Sequence, residues 1–419
     1  MDLLKPLAAY QPQLAQCVRC GACQAHCPVY LETGREGSVA RGKIVLAAAV
    51  LTGALDLDQG LQQEIGLCLL CGSCVTRCPN QVPTDAIVAA LRRRITAAQG
   101  LSPLGRGVAA LTGSPALLRG LVRGAGLMAP LLFKKIPAAS GLQLRFSPEA
   151  LSERTLPAIP DRHLLARLPE MMAGDEDKPM VGFFAGCAIT YLYPQVGEAL
   201  VRVLQTFGYP VFLPKGQGCC GMPALSSGNG PLLEQLATTN LTAFAGRELG
   251  AILTACASCH GALSGHYAAK DGNRFPAEIV DFHCFFQREG IIDQLAALPK
   301  WPQRQRVSYH DPCHLRTQGI TREPRALLRA LPQVEFVELA GGGRCCGLGG
   351  TFTATHPELS RAIGDRHLAA LEASGATLVA SGCPGCVLQL QDIINRAGLA
   401  MKAVHTLDLV EQALEGSDR

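Results

Sequence analysis

Eight cysteines in two runs define the first chemistry this chain can do. Cys17, Cys20, Cys23 and Cys27-Pro28 recur in form as Cys68, Cys71, Cys74 and Cys78-Pro79. The spacing C-x₂-C-x₂-C-x₃-C-P lets three thiolates of one loop take three irons of a cubane cluster, while the fourth cysteine of each run ligates the cluster of the other run. One [4Fe–4S] cluster is therefore expected at Cys17, Cys20, Cys23 and Cys78, and a second at Cys27, Cys68, Cys71 and Cys74. Gly21 and Gly72 remove side-chain bulk where backbone passes close to inorganic sulfide. Four cysteines also suit zinc, but the third spacing in each run argues against it. Such clusters carry single electrons, so the chemistry centres on electron movement.

A second constellation is duplicated downstream. Cys187, Cys219-Cys220-Gly221 and Cys256-x₂-Cys259 return as Cys313, Cys345-Cys346-Gly347 and Cys383-x₂-Cys386, offset by 126 residues for the first three cysteines and by 127 for the last two. A shared offset over this length marks an internal repeat. Adjacent cysteines diverge unless the backbone turns sharply, which the following glycine allows. Five thiolates per copy exceed what one zinc or one ordinary cubane requires. Three outcomes compete: a cluster of unusual nuclearity or ligation in each copy, a cluster in one copy only, or a redox-active disulfide with metal elsewhere. The thiolate count favours at least one further cluster. Cys284, in the apolar run 282–286, reads as a structural thiol. His260, His310 and His314 stand beside ligand cysteines, but capping or loop packing accounts for them as well, and no role is assigned. Asp281 and Asp408 read as loop or helix-capping residues.

These side chains need elements to hold them. Between the two runs, residues 42–55 and 61–67 have helical apolar spacing, and the forty residues separating Cys27 from Cys68 suit a helical two-cluster domain. In the first repeat, residues 180–185, 209–213 and 251–255 read as strands, with helices at 195–206 and 231–249. In the second, 306–310, 334–339 and 377–380 take the strand roles. Strand–helix alternation implies parallel sheets with right-handed crossovers. Every repeat cysteine is then expected in a loop after a strand, at the edge where open parallel sheets bind ligands. The expected fold is multidomain: a helical ferredoxin-like two-cluster domain (1–95), a helical connector (96–178), and a duplicated α/β domain (179–300 and 301–419).

Composition narrows the classes further. The formal net charge is +4 with both signs interspersed, which gives no electrostatic case for nucleic acid. Nineteen cysteines without the basic region and apolar core of a signal peptide point to a reducing cytoplasm, with thiolates spent on metal rather than on disulfides. The longest uncharged stretches, 249–269 and 373–391, carry Gly, Ser, His or Pro and a C-x₂-C pair, so they read as buried units rather than membrane spans. Residues 127–133, beside Lys134 and Lys135, are a candidate surface-docking helix, with a packed connector the plainer reading. Gly228-Asn229-Gly230 and Gly341-Gly342-Gly343 lack dinucleotide-binding spacing, so no flavin or nicotinamide site is expected on this chain.

Two Cys-Pro runs followed by two Cys-Cys-Gly repeats resemble the glycolate oxidase iron–sulfur subunit family, related to the iron–sulfur subunits of D-lactate dehydrogenases and of heterodisulfide reductase. The resemblance covers nearly the whole chain, least specifically over 96–178. It implies an oxidoreductase subunit that takes electrons from a separate FAD-binding 2-hydroxyacid (glycolate or D-lactate) dehydrogenase subunit and passes them to a quinone or other carrier. The expected location is the cytoplasm; if the protein works at the membrane's inner face, a partner must hold it there. The alternative the resemblance implies is a disulfide reductase acting at non-cubane clusters in the Cys-Cys-Gly domains, kept open because both cysteine sets are complete.

Overall fold

Apolar spacing and local caps explain the helices that frame the two cysteine runs. The computed structural model describes residues 5–127, 133–136, 141–144, 154–267 and 274–417. Helices Ala40–Thr52 and Gln59–Gly66 fill the stretch between the runs, the second started by Asp58, whose carboxylate accepts from the Leu61 N–H at 2.7 Å. Such a cap satisfies an amide that a helix start leaves unpaired. Helix Thr84–Gln99 follows the second run and continues past residue 95. It buries Ile87, Val88, Leu91 and Ile95 and forms the spine of the first unit.

The connector carries helices Pro103–Gly113 and Pro115–Leu127 and an unexpected antiparallel hairpin, β1 (Phe133–Ile136) with β2 (Gly141–Leu144). Residues 128–132, most of the candidate docking helix, lie outside the described residues. The connector's end touches the second repeat first: the Thr155 N–H donates to Asp392 Oδ1 at 2.8 Å. It then supplies β3 (Met171–Met172) as an antiparallel edge of the first repeat's sheet.

The first repeat contains β4 (Val181–Phe184), β5 (Val211–Phe212), β6 (Ala251–Thr254) and β7 (Ile279–Asp281); the second contains β8 (Gln305–Tyr309), β9 (Val334–Val337), β10 (Leu378–Ser381) and β11 (Lys402–His405). The sheet orders are β3-β5-β4-β6-β7 and β11-β10-β8-β9, all parallel apart from β3. Without β3, the two orders are the same arrangement read from opposite ends, as a duplication requires. β4 and β6 are buried along their whole length, so they read as continuous apolar runs rather than alternating ones. Each copy thus has a fourth parallel strand that the sequence reading did not assign.

The C-terminal ends of the two sheets meet. The Ala257 N–H donates to Gly382 O at 3.2 Å, and His405 Nε2 lies 2.9 Å from Ala255 O. The N-terminal unit docks on both copies: Arg92 Nη1 donates to Ser226 O at 3.0 Å, and Arg316 Nη2 to Ser73 Oγ at 2.7 Å. No helix among the described residues is long and apolar enough to cross a membrane.

Candidate metal centres

Both N-terminal loops take the same path. Arg19 and Leu70, each the residue before the second cysteine of its run, have φ of 56° and 53°, and Gly21 and Gly72 just after that cysteine have 86° and 65°. A non-glycine residue held there costs about 1–3 kcal/mol, so something common to both loops imposes the shape. Cys17, Cys20, Cys23 and Cys78 line one cavity, whose wall Cys74 also touches; Cys27, Cys68, Cys71 and Cys74 line another. The fourth cysteine of each run has therefore crossed to the other. Burial pushes the Cys27 thiol up to about 11, and the neighbouring Cys68 and Cys71 sulfurs add to that. Burial likewise raises Cys74 well above the ordinary thiol range. Four converging cysteines, two of them buried thiols that resist ionisation alone, are a donor set suited to a cluster, because a metal rather than solvent would stabilise the thiolates.

In the repeats the vicinal pairs turn as the glycines permit: Gly221 and Gly347 have φ of 86° and 93°. The turn in the first copy is held by Asn240, whose amide donates to Cys219 O at 2.9 Å and accepts from the Gly218 N–H at 2.8 Å, and by Tyr267, whose hydroxyl donates to Cys220 O at 3.1 Å. In the second copy His367 takes the place of Asn240, with Nε2 3.2 Å from Cys345 O. The upstream strand ends are fixed differently. Gln217 Oε1 accepts from the Ala185 N–H at 2.8 Å, whereas Asp311 forms a two-point ion pair with Arg325 at 2.7 and 2.8 Å.

The ten repeat cysteines form one continuous group rather than two separate ones. The Cys187 and Cys219 sulfurs are 3.7 Å apart, and those of Cys346 and Cys386 3.6 Å apart. Cys220 neighbours Cys259, Cys256 neighbours Cys383, and Cys345 neighbours both Cys313 and Cys71. Acceptors in this network are pulled down: Cys220 to about 5 by the Cys219 and Cys259 thiols, and Cys71 to about 6 by the Cys345 thiol. Cys345 and Cys386 are pushed up, Cys345 by the neighbouring Cys313 and Cys346 sulfurs and Cys386 by Cys346 and Cys383. Nine of the ten line a cavity of about 190 Å³, together with Ser258, His314, Leu69 and Leu70. Burial of so many sulfurs as thiolates without a cation would be costly; iron bound to them would remove that cost.

The structure gathers all eighteen cysteines singled out in the sequence, and all nineteen are free thiols. One placement differs from expectation. Cys187, Cys259, Cys313 and Cys386 lie within the first turn of helices Gly186–Tyr191, Ala257–His266, Cys313–Arg316 and Pro384–Ala397, not in loops, because helical backbone begins almost at once after each strand. Cys284 is a half-buried thiol whose acidity burial weakens, to about 12. Asp281 caps helix Phe282–Arg288 by accepting from the His283 N–H at 3.0 Å, and Asp408 accepts from the His405 N–H at 3.0 Å. The sequence reading missed the contact between the two repeats and the approach of Cys71 to Cys345. No local signal encodes either one.

Comparison with known proteins fits this geometry. Residues 13–82 match a model of a 4Fe-4S dicluster domain, and residues 181–264 and 307–391 match a model of a cysteine-rich domain. The chain is 31% identical to the probable glycolate oxidase iron-sulfur subunit of Bacillus subtilis, over 96% of this chain and 94% of that protein. It is 28% identical to one subunit of the fumarate reductase (CoM/CoB) of Methanothermobacter marburgensis, over 96% of this chain and 72% of that one. It is 26% identical to one subunit of the dihydromethanophenazine:CoB–CoM heterodisulfide reductase of Methanosarcina barkeri, over 98% and 96%.

Proposed function

Because this chain belongs to the family of iron–sulfur oxidoreductase subunits that contains the probable glycolate oxidase subunit of Bacillus subtilis, we propose that it is the electron-transfer subunit of an FAD-linked dehydrogenase of glycolate or D-lactate. Its partner is a flavoprotein subunit, and its electrons leave to a quinone or another carrier. Cys17, Cys20, Cys23 and Cys78 hold one [4Fe–4S] cluster; Cys27, Cys68, Cys71 and Cys74 hold a second; the ten repeat cysteines hold further iron–sulfur centres. When bound, these groups supply single-electron steps. The observation that carries the reading is the packing of Cys71, in the second run, in one buried cluster with Cys345 of the second repeat, beside the hydrogen bond from Arg316 to Ser73. It joins the dicluster unit to the repeats through adjoining sulfurs.

The residues of the chain set the ends of this route. Cys20 is exposed, and neighbouring Val18 is 68% exposed, so the first cluster's loop offers a partner an apolar surface close to a cysteine ligand. At the other end Leu69 and Leu70 wall the thiol cavity. Copurification with a flavoprotein, and dye or quinone reduction by the complex with glycolate or D-lactate, is the test. Flavin bound to this chain alone contradicts it.

A second reading is favoured by one specific observation: both cysteine sets are complete and face a common cavity of about 190 Å³. Such a cavity admits a small disulfide substrate, whose reduction to two thiols consumes two electrons and two protons. Cys219→Ser and Cys345→Ser separate the readings, since loss of dehydrogenase-linked turnover without any disulfide reductase activity supports the first alone.

A further inference from the structure

We propose that His310 is an iron ligand of the second repeat's centre, making it a mixed histidine–cysteine site that the first repeat cannot form. This inference rests on the reading that the repeats hold iron. A ring nitrogen of His310 and the sulfurs of Cys346 and Cys386 all lie within 4.8 Å of one another. The histidine is 1% exposed, and its Nδ1 has no hydrogen-bond partner. An orphaned ring nitrogen in a buried site is costly, and a metal bound through Nδ1 would satisfy it.

The surroundings hold the imidazole in place. The His310 N–H donates to Ala380 O at 2.9 Å, and its carbonyl accepts from Ser381 Oγ at 3.1 Å. The next residue, Asp311, is locked by Arg325 and by its own N–H on Gly342 O at 3.0 Å. His367 meets the His310 ring edge-on at 5.1 Å between centroids. These bonds fix the backbone that carries the ring, and the His367 ring limits where the imidazole can turn.

The duplication supplies the contrast. Counting back 126 residues from Cys313 to Cys187 puts Phe184 at the position of His310, and Phe184 is fully buried. The scaffold therefore accepts a plain aromatic ring at this position, so packing alone does not demand a histidine. Where the imidazole takes an iron position that one of the five thiolates would otherwise fill, the centre is less negative, which raises its reduction potential. The second repeat, the one that Cys71 touches, would then be the more readily reduced of the two.

The test uses the full chain, isolated anaerobically with its iron and grown with ¹⁵N-histidine. Pulsed EPR of the repeat-centred paramagnetic state is expected to show a strong, directly bonded nitrogen coupling that changes with the isotope, is lost in His310→Ala and survives in His367→Ala. More than eight irons per chain with only weak, remote nitrogen couplings overturns the ligand assignment while leaving the proposed function intact. Eight irons or fewer overturns both. If His310→Ala does not fold, the isotope effect in the unaltered chain decides alone. A redox titration adds an independent readout: His310→Cys should lower the potential of that centre, and an unchanged potential counts against ligation.

Discussion

Replacing Gly72 by alanine tests the junction between the dicluster unit and the second repeat. Gly72 has φ +65°, and a Cβ there would lie 2.7 Å from Thr317 Cγ2. The left-handed backbone costs an alanine about 1–2 kcal/mol, and overpacking adds about 1–3 kcal/mol. Gly21 is the matched control. Its Cβ would meet only the movable ends of Arg41 and Gln24, at 3.0 Å, so Gly21→Ala carries little beyond the about 1–2 kcal/mol backbone cost. Thr317→Ser deletes Cγ2 and leaves Cβ at 3.6 Å, an ordinary contact. The Gly72→Ala/Thr317→Ser double variant should therefore recover the overpacking cost, about 1–3 kcal/mol of coupling. The assay is the anaerobic rate of visible cluster absorbance loss at one fixed urea concentration, where about 1.4 kcal/mol is a tenfold change. Gly72→Ala should bleach about 30-fold faster or more, Gly21→Ala about tenfold, and the double variant should return close to the Gly21→Ala rate. Equal rates for Gly72→Ala with and without Thr317→Ser would refute the contact and the docking that rests on it.

Other perturbations follow from the same geometry. Cys27→Ser should remove the spectral signature of the same cluster as Cys68→Ser, and Cys78→Ser that of the cluster lost in Cys17→Ser; EPR of the four variants checks the crossing, and pairing of Cys27 with Cys17 contradicts it. Arg92 donates to the carbonyls of Ile65 at 2.9 Å, Gly66 at 3.0 Å, Cys68 at 2.7 Å and Ser226 at 3.0 Å. Arg92→Met should cost about 3–5 kcal/mol and speed chelator-induced loss of the Cys68 cluster before the other. Burial pushes the Asp408 carboxyl from 3.8 up to about 6 against the hydrogen bond from His405, which pulls it down. A raised carboxyl stabilises the fold below its unfolded value and loses that contribution as pH rises through about 6, by about 3 kcal/mol in all. Relative to Asp408→Asn, the parent's anaerobic unfolding midpoint should therefore fall between pH 4 and 7, on top of the opposite trend that both chains share from the buried His367 and His405, whose pKa burial lowers to about 4; parallel profiles exclude it.

Both cysteine patterns were legible because ligand spacing is a local constraint. Three thiols of one loop can reach one cluster only at certain separations, whatever surrounds them. The parallel sheets were legible from strands such as Val181–Phe184, whose side chains are all buried. β7 and β11 were harder to see, being short and ending in Asp281 and His405, polar residues that resemble loop starts. The edge strand β3 is held by long-range pairing with β5 that no local propensity announces, and the local hairpin β1–β2 falls in a stretch read as helical. The meeting of the two thiol sets depends on how the sheet ends pack, through contacts such as Ala257 with Gly382. His310 had one available signal, its replacement by Phe184 at the matching repeat position, and its nearness to Cys346 appears only in the folded chain.

Iron and acid-labile sulfide analysis of the anaerobically purified chain, joined to EPR of its reduced state, tests the central claim that adjoining thiol-bound centres carry electrons through this chain. The expected result is more than eight irons per chain, together with a reduced-state signal split by interaction between the Cys71 cluster and the second repeat's centre and simplified by Cys345→Ser. Zinc in place of iron, or cluster signals with no interaction that Cys345→Ser alters, contradicts it.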